Sequence, residues 1–131
     1  MATYYFDTSA LAKLVIDEPE TQALRDWVNA VDAELLTSDL ARTELPRAVR
    51  RSNPEAPAMA RRLLAGAELL PINAAALDAA GQVDPAGLRT LDAIHLVAAL
   101  SLGEDLDGIV TYDDRFAEAA RLHGLTVISP S

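Results

Sequence analysis

The sequence predicts an α/β fold, a three-layer α/β/α sandwich around a mostly parallel sheet of about five strands. Short apolar runs alternate along the chain with longer segments of helical periodicity. That order is typical of a parallel sheet covered by helices on both faces. The 131 residues contain no internal repeat, low-complexity tail or dividing linker, so residues 1–131 are expected to form one domain.

Five runs have the composition of short buried strands. They are residues 3–6, 34–37, 68–72, 108–111 and 126–128. In a parallel sheet the carboxyl ends of the strands share one edge, and ligands bind at that edge near the topological switch point. Asp7 and Asp113 follow the first and fourth runs and are therefore expected at this edge.

The segments between the strands read as helices. Residues 10–12 look helical, and Ser38 is expected to cap a helix that runs to about residue 51. Asp113 or Asp114 opens the last helix, which Gly124 closes. The other predicted helices cover residues 18–30, 55–66, 74–82 and 90–102.

The composition excludes several classes of site. No cysteine is present, which rules out disulfides, thiolate metal sites and cysteine nucleophiles. The longest nearly apolar run, residues 91–100, is too short to span a bilayer, and no signal peptide is visible. A cytoplasmic protein without membrane association is the expectation.

The charge is strongly negative overall but unevenly distributed. A net charge of −9 argues against general affinity for nucleic acid. More than half of the 11 basic residues nevertheless fall in one short region, which is either a solvated helical face or a phosphate-binding surface. They are Arg42, Arg47, Arg50, Arg51, Arg61 and Arg62.

Four acids stand in unusual places, although each has an ordinary structural explanation. Asp7 is a suitable N-cap residue for the helix that follows it, and Asp113 opens a turn or caps the last helix. Glu44 lies on or beside the apolar stripe of its helix, where Arg47 or Arg51 is a possible ion-pair partner. Asp92 complements the dipole of a helix that is apolar nearly all round.

His95 shares one face of that helix with Asp92, three residues away. A hydrogen-bonded core histidine is the favoured interpretation, with a metal ligand as the alternative. With two histidines and no cysteine in the chain, a zinc site is not expected.

Taken together, the acids indicate a cation site. Carboxylates converging in one cleft repel each other and raise one another's pKa values, and a hard divalent cation removes that repulsion. Mg²⁺ or Mn²⁺ prefers oxygen ligands and shares its shell with substrate phosphates. Acids with such an ion are best suited to phosphodiester hydrolysis.

Four stretches resemble PIN-domain ribonucleases, in particular the VapC-type toxins of prokaryotic toxin–antitoxin pairs. They occur in the order found in that family, and the similarity in length and layout covers essentially the whole chain. The stretches are residues 7–13 (DTSALAK), 38–44 (SDLARTE), 91–96 (LDAIHL) and 111–116 (TYDDRF).

The resemblance implies a role for each of these side chains. Asp7, Glu44, Asp92 and Asp113 would form an acidic quartet around Mg²⁺ or Mn²⁺, with Asp7 and Asp92 as the most direct ligands. The hydroxyls of Thr8, Ser9 and Thr111 would orient carboxylates or the scissile phosphate. Asp114 would assist the metal or, preferably, cap the last helix. Possible RNA contacts are Lys13, Arg42 and Arg115, which are alternatively solvated or paired with acids.

The resemblance also implies the reaction and the partners. The reaction would be endonucleolytic cleavage of single-stranded or loop RNA that leaves a 5′-phosphate and a 3′-hydroxyl. The partners would be a cognate antitoxin protein, which brings an arginine-bearing segment to the acidic cleft, and a second copy in a homodimer or larger toxin–antitoxin assembly.

Three alternatives are weighed against this function. An aspartyl-phosphate phosphatase needs an acid two residues after Asp7, where Ser9 stands. A receiver domain needs a late lysine, and none follows Lys13. A non-catalytic PIN-like module that binds protein or RNA is the more serious alternative, although none of the four acids is lost.

Overall fold

Five parallel strands form the centre of the computed structural model, which describes residues 2–131. The strands are β1 (Tyr4–Phe6), β2 (Leu36–Ser38), β3 (Glu68–Leu70), β4 (Gly108–Val110) and β5 (Val127–Ile128). They are hydrogen-bonded in the order β3-β2-β1-β4-β5, and every neighbouring pair is parallel. All five predicted strands are confirmed, and the order reverses at β1, which makes the carboxyl end of β1 the switch point.

Within residues 2–131 seven helices connect the strands, with a short 3₁₀ turn over Gly103–Asp105 before β4. None of the helices formed by residues 2–131 has both the length and the apolar character needed to cross a membrane. The helices are α1 (Thr8–Val15), α2 (Thr21–Val31), α3 (Ala41–Val49), α4 (Ala56–Ala65), α5 (Ala74–Ala80), α6 (Thr90–Leu100) and α7 (Asp114–Leu122).

The helices cover both faces of the sheet because neighbouring strand residues point in opposite directions. Phe6 and Val110 are buried on one face against α1, α2, α3 and α4. Tyr5 and Ile109 are buried on the other face against α6 and α7, and α5 packs on α6. The three-layer α/β/α prediction is therefore confirmed.

Ser38 does not cap a helix, contrary to the sequence-based prediction. It is the buried last residue of β2, where it pairs with Leu70, and its hydroxyl is bonded to Tyr5. The following helix begins only at Ala41 and has no side-chain cap. Capping patterns are local, whereas the pairing of β2 with β3 is decided by tertiary structure.

Gly108 in β4 is expected to tolerate no larger side chain. A Cβ placed there would lie 2.9 Å from the Thr126 carbonyl oxygen and 3.3 Å from the ring of Tyr4. Gly108→Ala should therefore lower the free energy of unfolding by about 1–3 kcal/mol, measured by denaturant titration. Gly87→Ala is the matched control, because nothing lies within 4 Å of its added Cβ. Equal stability of the two variants would contradict the prediction.

Candidate active site

The four acids singled out from the sequence line one cleft of about 340 Å³ at the carboxyl edge of the sheet. Asp7 and Asp113 arrive there because β1 and β4 are neighbours and each acid follows its strand within three residues. Glu44 reaches the cleft from α3, and Asp92 from the first turn of α6. Side chains far apart in sequence thus meet at the switch point of the sheet.

Asp7 both caps a helix and faces the cleft. Its Oδ1 accepts hydrogen bonds from the Ala10 backbone N–H at 3.0 Å and from the Ser9 hydroxyl at 2.6 Å. Its Oδ2 accepts from the Thr111 hydroxyl at 2.6 Å. The side chain is held rigidly, and because Asp7 is only 4% exposed, burial raises the pKa of its carboxyl despite these bonds.

Glu44 is held by Thr8 and His95 rather than by an arginine. Its Oε1 accepts from the Thr8 hydroxyl at 2.8 Å and is bonded to Nε2 of His95. Within residues 2–131 neither Arg47 nor Arg51 forms an ion pair with it. Burial raises the pKa of Glu44, but the hydrogen bond and electrostatic attraction of His95, with the hydrogen bond from Thr8, outweigh burial and keep that pKa below its ordinary value.

His95 is a buried, hydrogen-bonded core residue, 2% exposed. Its Nδ1 lies 2.7 Å from the Tyr5 hydroxyl, which donates to the Ser38 Oγ at 2.9 Å. The ring also packs edge-on against Phe116. The imidazole therefore connects Glu44 in the cleft to β1 and β2 in the core.

Arg89 lies between the other two acids. Its Nε donates to Asp92 Oδ2 at 2.9 Å, and its Nη2 forms an ion pair with the same oxygen at 2.8 Å. Nη2 also pairs with Asp113 Oδ2. Burial raises the pKa of Asp92 although Arg89 opposes this change. Burial acts in the same direction on Asp113, but the Phe116 N–H and Arg89 lower the pKa of that carboxyl overall.

Sequence reasoning missed Arg89. The available signal was local, since Arg89 precedes Asp92 by three residues, the spacing at which an arginine reaches an acid along a helix. The contact with Asp113, 24 residues away, was not visible in the sequence.

The predicted hydroxyl residues all lie beside the carboxylates, but Asp114 does not. Thr8 and Ser9 line the cleft, and Thr111 is buried beneath Asp7. The cap of α7 is Asp113, whose Oδ1 accepts from the Phe116 N–H at 3.0 Å. Asp114 is the exposed first residue of α7, so the preferred assignment of Asp114 as the cap is wrong.

The three side chains predicted as possible RNA contacts lie outside the cleft. Nζ of Lys13 is 2.8 Å from Glu20 Oε2 and stands over the ring of Tyr112. Arg42 pairs with Asp39 at 2.9 Å. Arg115 is exposed beside a shallow surface depression that it shares with Arg89. Their contact with RNA remains a prediction.

A basic groove of about 500 Å³ adjoins the acidic cleft. It is continuous with the cleft because Thr8, Glu44 and Leu91 line both. We call it the arginine groove for the residues that give it its charge. These are Arg47, Arg50 and Arg51, which are exposed and form no ion pair within residues 2–131.

The donor atoms of the cleft fit a hard divalent cation, although the four carboxylates lie farther apart than the ligands of one bound ion. All four side chains offer carboxylate oxygens, the ligands that Mg²⁺ and Mn²⁺ prefer. Within residues 2–131 no three acidic or histidine side chains stand close enough together to hold a metal ion as placed. Asp92 and Asp113 instead form ion pairs with Arg89.

Known proteins are similar to the chain over nearly its whole length. Residues 4–122 match the PIN domain family. Ribonuclease VapC46 of Mycobacterium tuberculosis (strain ATCC 25618 / H37Rv) is 45% identical over 131 residues, which is 100% of both chains.

Two solved structures share the fold at low sequence identity. Mycobacterium tuberculosis VapC20, a toxin that cleaves the sarcin-ricin loop, has a TM-score of 0.78 at 18% identity, covering 97% of this chain and 99% of that chain. VapBC2 from Rickettsia felis, bound to a DNA fragment from its promoter, has a TM-score of 0.72 at 15% identity, covering 98% and 99%. The chain therefore belongs to the PIN domain family and, within it, to the VapC-type proteins.

Proposed function

We propose that this chain is a Mg²⁺- or Mn²⁺-dependent endoribonuclease, built as one PIN domain, that acts as the toxin of a toxin–antitoxin pair. The observation that carries the proposal is the meeting of four carboxylates from four separate elements in one cleft. The ribonuclease name of a relative that is 45% identical over the full length supports the same activity.

The residues that would hold the cation are Asp7, Glu44, Asp92 and Asp113. When bound, the cation would activate water and offset negative charge on the phosphate. The chain's own contribution is to keep the carboxylates aimed into the cleft. Ser9 and Thr111 fix both oxygens of Asp7, and such supporting hydrogen bonds maintain the geometry on which metal sites depend.

The substrate would be single-stranded or loop RNA, whose phosphates and bases are accessible to a shallow cleft. The net charge of −9 disfavours binding over the whole surface, so attraction has to be local. The arginine groove supplies it, because three guanidinium groups lie directly beside the cleft. RNA following the groove would deliver one phosphate to the carboxylates.

The partner in the cell would be a cognate antitoxin protein. The structural similarity to VapBC2 of Rickettsia felis supports such a pair. We further propose a cytoplasmic protein that forms a homodimer or a larger toxin–antitoxin assembly.

The test of this function is RNA cleavage by purified protein with Mg²⁺, with Mn²⁺ and with a chelator. Metal-dependent cutting that stops in the chelator and returns on adding metal is the expected result. If no RNA is cut and neither metal changes the melting temperature, the catalytic proposal fails, and a non-catalytic binding module becomes the better description.

Removing charge from the arginine groove should weaken RNA binding more than catalysis. In the double variant Arg47→Ala, Arg51→Ala, KM should rise while kcat changes little. The plot of log affinity against log salt should flatten by about 0.7 for each lost phosphate contact. Arg121→Ala, at an exposed arginine in the last turn of α7, is the control for the loss of a single positive charge away from the groove. An unchanged salt dependence in the double variant would contradict the assignment.

A further inference from the structure

The guanidinium group of Arg89 lies between two acids of the cleft, Asp92 and Asp113. It makes two contacts to Asp92 Oδ2, at 2.8 and 2.9 Å, and a third to Asp113 Oδ2. Without a counter-charge these two acids would repel each other. Arg89 therefore pairs with two of the four acids and offsets part of their negative charge from within the chain.

The ion pairs of Arg89 with Asp92 and Asp113 are accessible to water and therefore weak. The side chain of Arg89 is 54% exposed, whereas those of Asp92 and Asp113 are 16% and 26% exposed. Water therefore reaches the guanidinium side of each ion pair, and this contact with water weakens the pairs. Arg89 also precedes α6 as its N-cap residue with extended backbone, so its side chain is not confined by a helical turn before it. A stronger cation is able to displace it without disturbing α6.

The same two carboxylate groups that pair with Arg89 would also hold the proposed metal. Asp92 and Asp113 are two of the four side chains that would hold the cation, and each already bonds the guanidinium through its Oδ2. A divalent ion between these carboxylates would lie close to the guanidinium group of Arg89, and the two positive charges would repel each other. The two cations would therefore compete for these two carboxylates.

We propose that Arg89 is a displaceable internal counter-ion, which balances Asp92 and Asp113 in the metal-free protein and competes with the divalent cation for them. This inference rests on the proposed metal-dependent function. If so, Arg89 lowers the affinity of the cleft for the divalent cation and stabilises the fold when no cation is bound.

The test is Mn²⁺ binding by titration calorimetry, together with the metal-free melting temperature, on the purified full chain and its Arg89→Ala variant. The variant should bind Mn²⁺ about three- to tenfold more tightly, because two weak ion pairs no longer have to break. Its metal-free melting temperature should fall, and the rise on adding Mn²⁺ should be larger than in the wild type.

Arg115→Ala is the matched control. Arg115 is an exposed arginine that shares a surface depression with Arg89, but it pairs with no acid within residues 2–131. Its replacement removes the same charge from the same side of the molecule. Arg89→Lys, which keeps the charge but loses the forked geometry, should fall between the wild type and Arg89→Ala.

The outcomes separate this inference from the proposed function. If the wild type binds Mn²⁺ and Arg89→Ala binds it equally or more weakly, or no more tightly than Arg115→Ala, the competition is refuted and the metal-dependent function stands. If the wild type fails to bind Mn²⁺ and Arg89→Ala binds it, the competition is supported. If no variant binds Mn²⁺, both proposals fall.

Discussion

Asp7→Asn is expected to reduce RNA cleavage by more than about 100-fold, since even residues that only support a metal ligand cost 10- to 100-fold when replaced. The substitution removes the carboxylate charge yet hardly changes the shape of the side chain. Asparagine is as good a helix cap as aspartate, so the bond to the Ala10 N–H should persist. Cleavage of a labelled RNA and thermal melting of the same preparation measure both effects.

The stability of Asp7→Asn should equal or exceed that of the wild type at neutral pH without metal. Burial raises the pKa of Asp7, so its protonated form favours folding. That contribution is present below the unfolded-state pKa and is lost as pH rises through the folded-state pKa. At neutral pH the ionised side chain therefore costs stability, and asparagine removes this cost.

The control for Asp7→Asn is Asp78→Asn, an exposed acid on α5, which should leave cleavage unchanged. Full cleavage by Asp7→Asn would refute the role of Asp7 as a metal ligand. A variant that is both inactive and markedly less stable would show that the carboxylate supports the fold through Ser9 and Thr111, and its lost activity would then not count as evidence for a metal ligand.

His95→Ala should lower both stability and activity. Removing the buried imidazole leaves a cavity and takes away one of the two hydrogen-bond partners of the Tyr5 hydroxyl, which together should cost about 3 kcal/mol of unfolding free energy. Glu44 would keep only Thr8 as a partner, so cleavage should fall about 10- to 100-fold. The loss should lie in kcat rather than KM, measured well below the melting temperature.

The pH dependence distinguishes positioning of Glu44 from simple destabilisation. In the wild type the lowered pKa of Glu44 adds stability above its unfolded-state pKa, and this is lost as pH falls through the lowered folded-state pKa. His95→Ala should move that loss to higher pH. His95→Gln, which keeps a donor for Glu44, should restore part of kcat, and Tyr5→Phe should lose less than His95→Ala. Equal kcat losses in all three variants would contradict this role.

Local patterns predicted the strands well because each is a short apolar run bounded by polar residues. They predicted helix ends less well. Ser38 has a side chain suited to capping a helix, but it is the last residue of β2 and pairs with Leu70 of β3. Asp113 rather than Asp114 caps α7. At α7 two neighbouring residues had suitable chemistry, and at α3 no side chain caps the helix. In both cases only the path of the chain in three dimensions decided the outcome.

The sequence by itself determined the alternation of strands and helices, the positions of the four acids and the absence of thiol chemistry. Strand ends and buried helical faces are read from residues close together, so Asp7, Glu44, Asp92 and Asp113 stood out without coordinates. Only the tertiary structure decided what holds each acid. Glu44 meets His95 across 51 residues, and Arg89 meets Asp113 across 24, because the order β3-β2-β1-β4-β5 folds distant segments onto one edge. Contacts of that range follow from topology and packing, which no local pattern encodes.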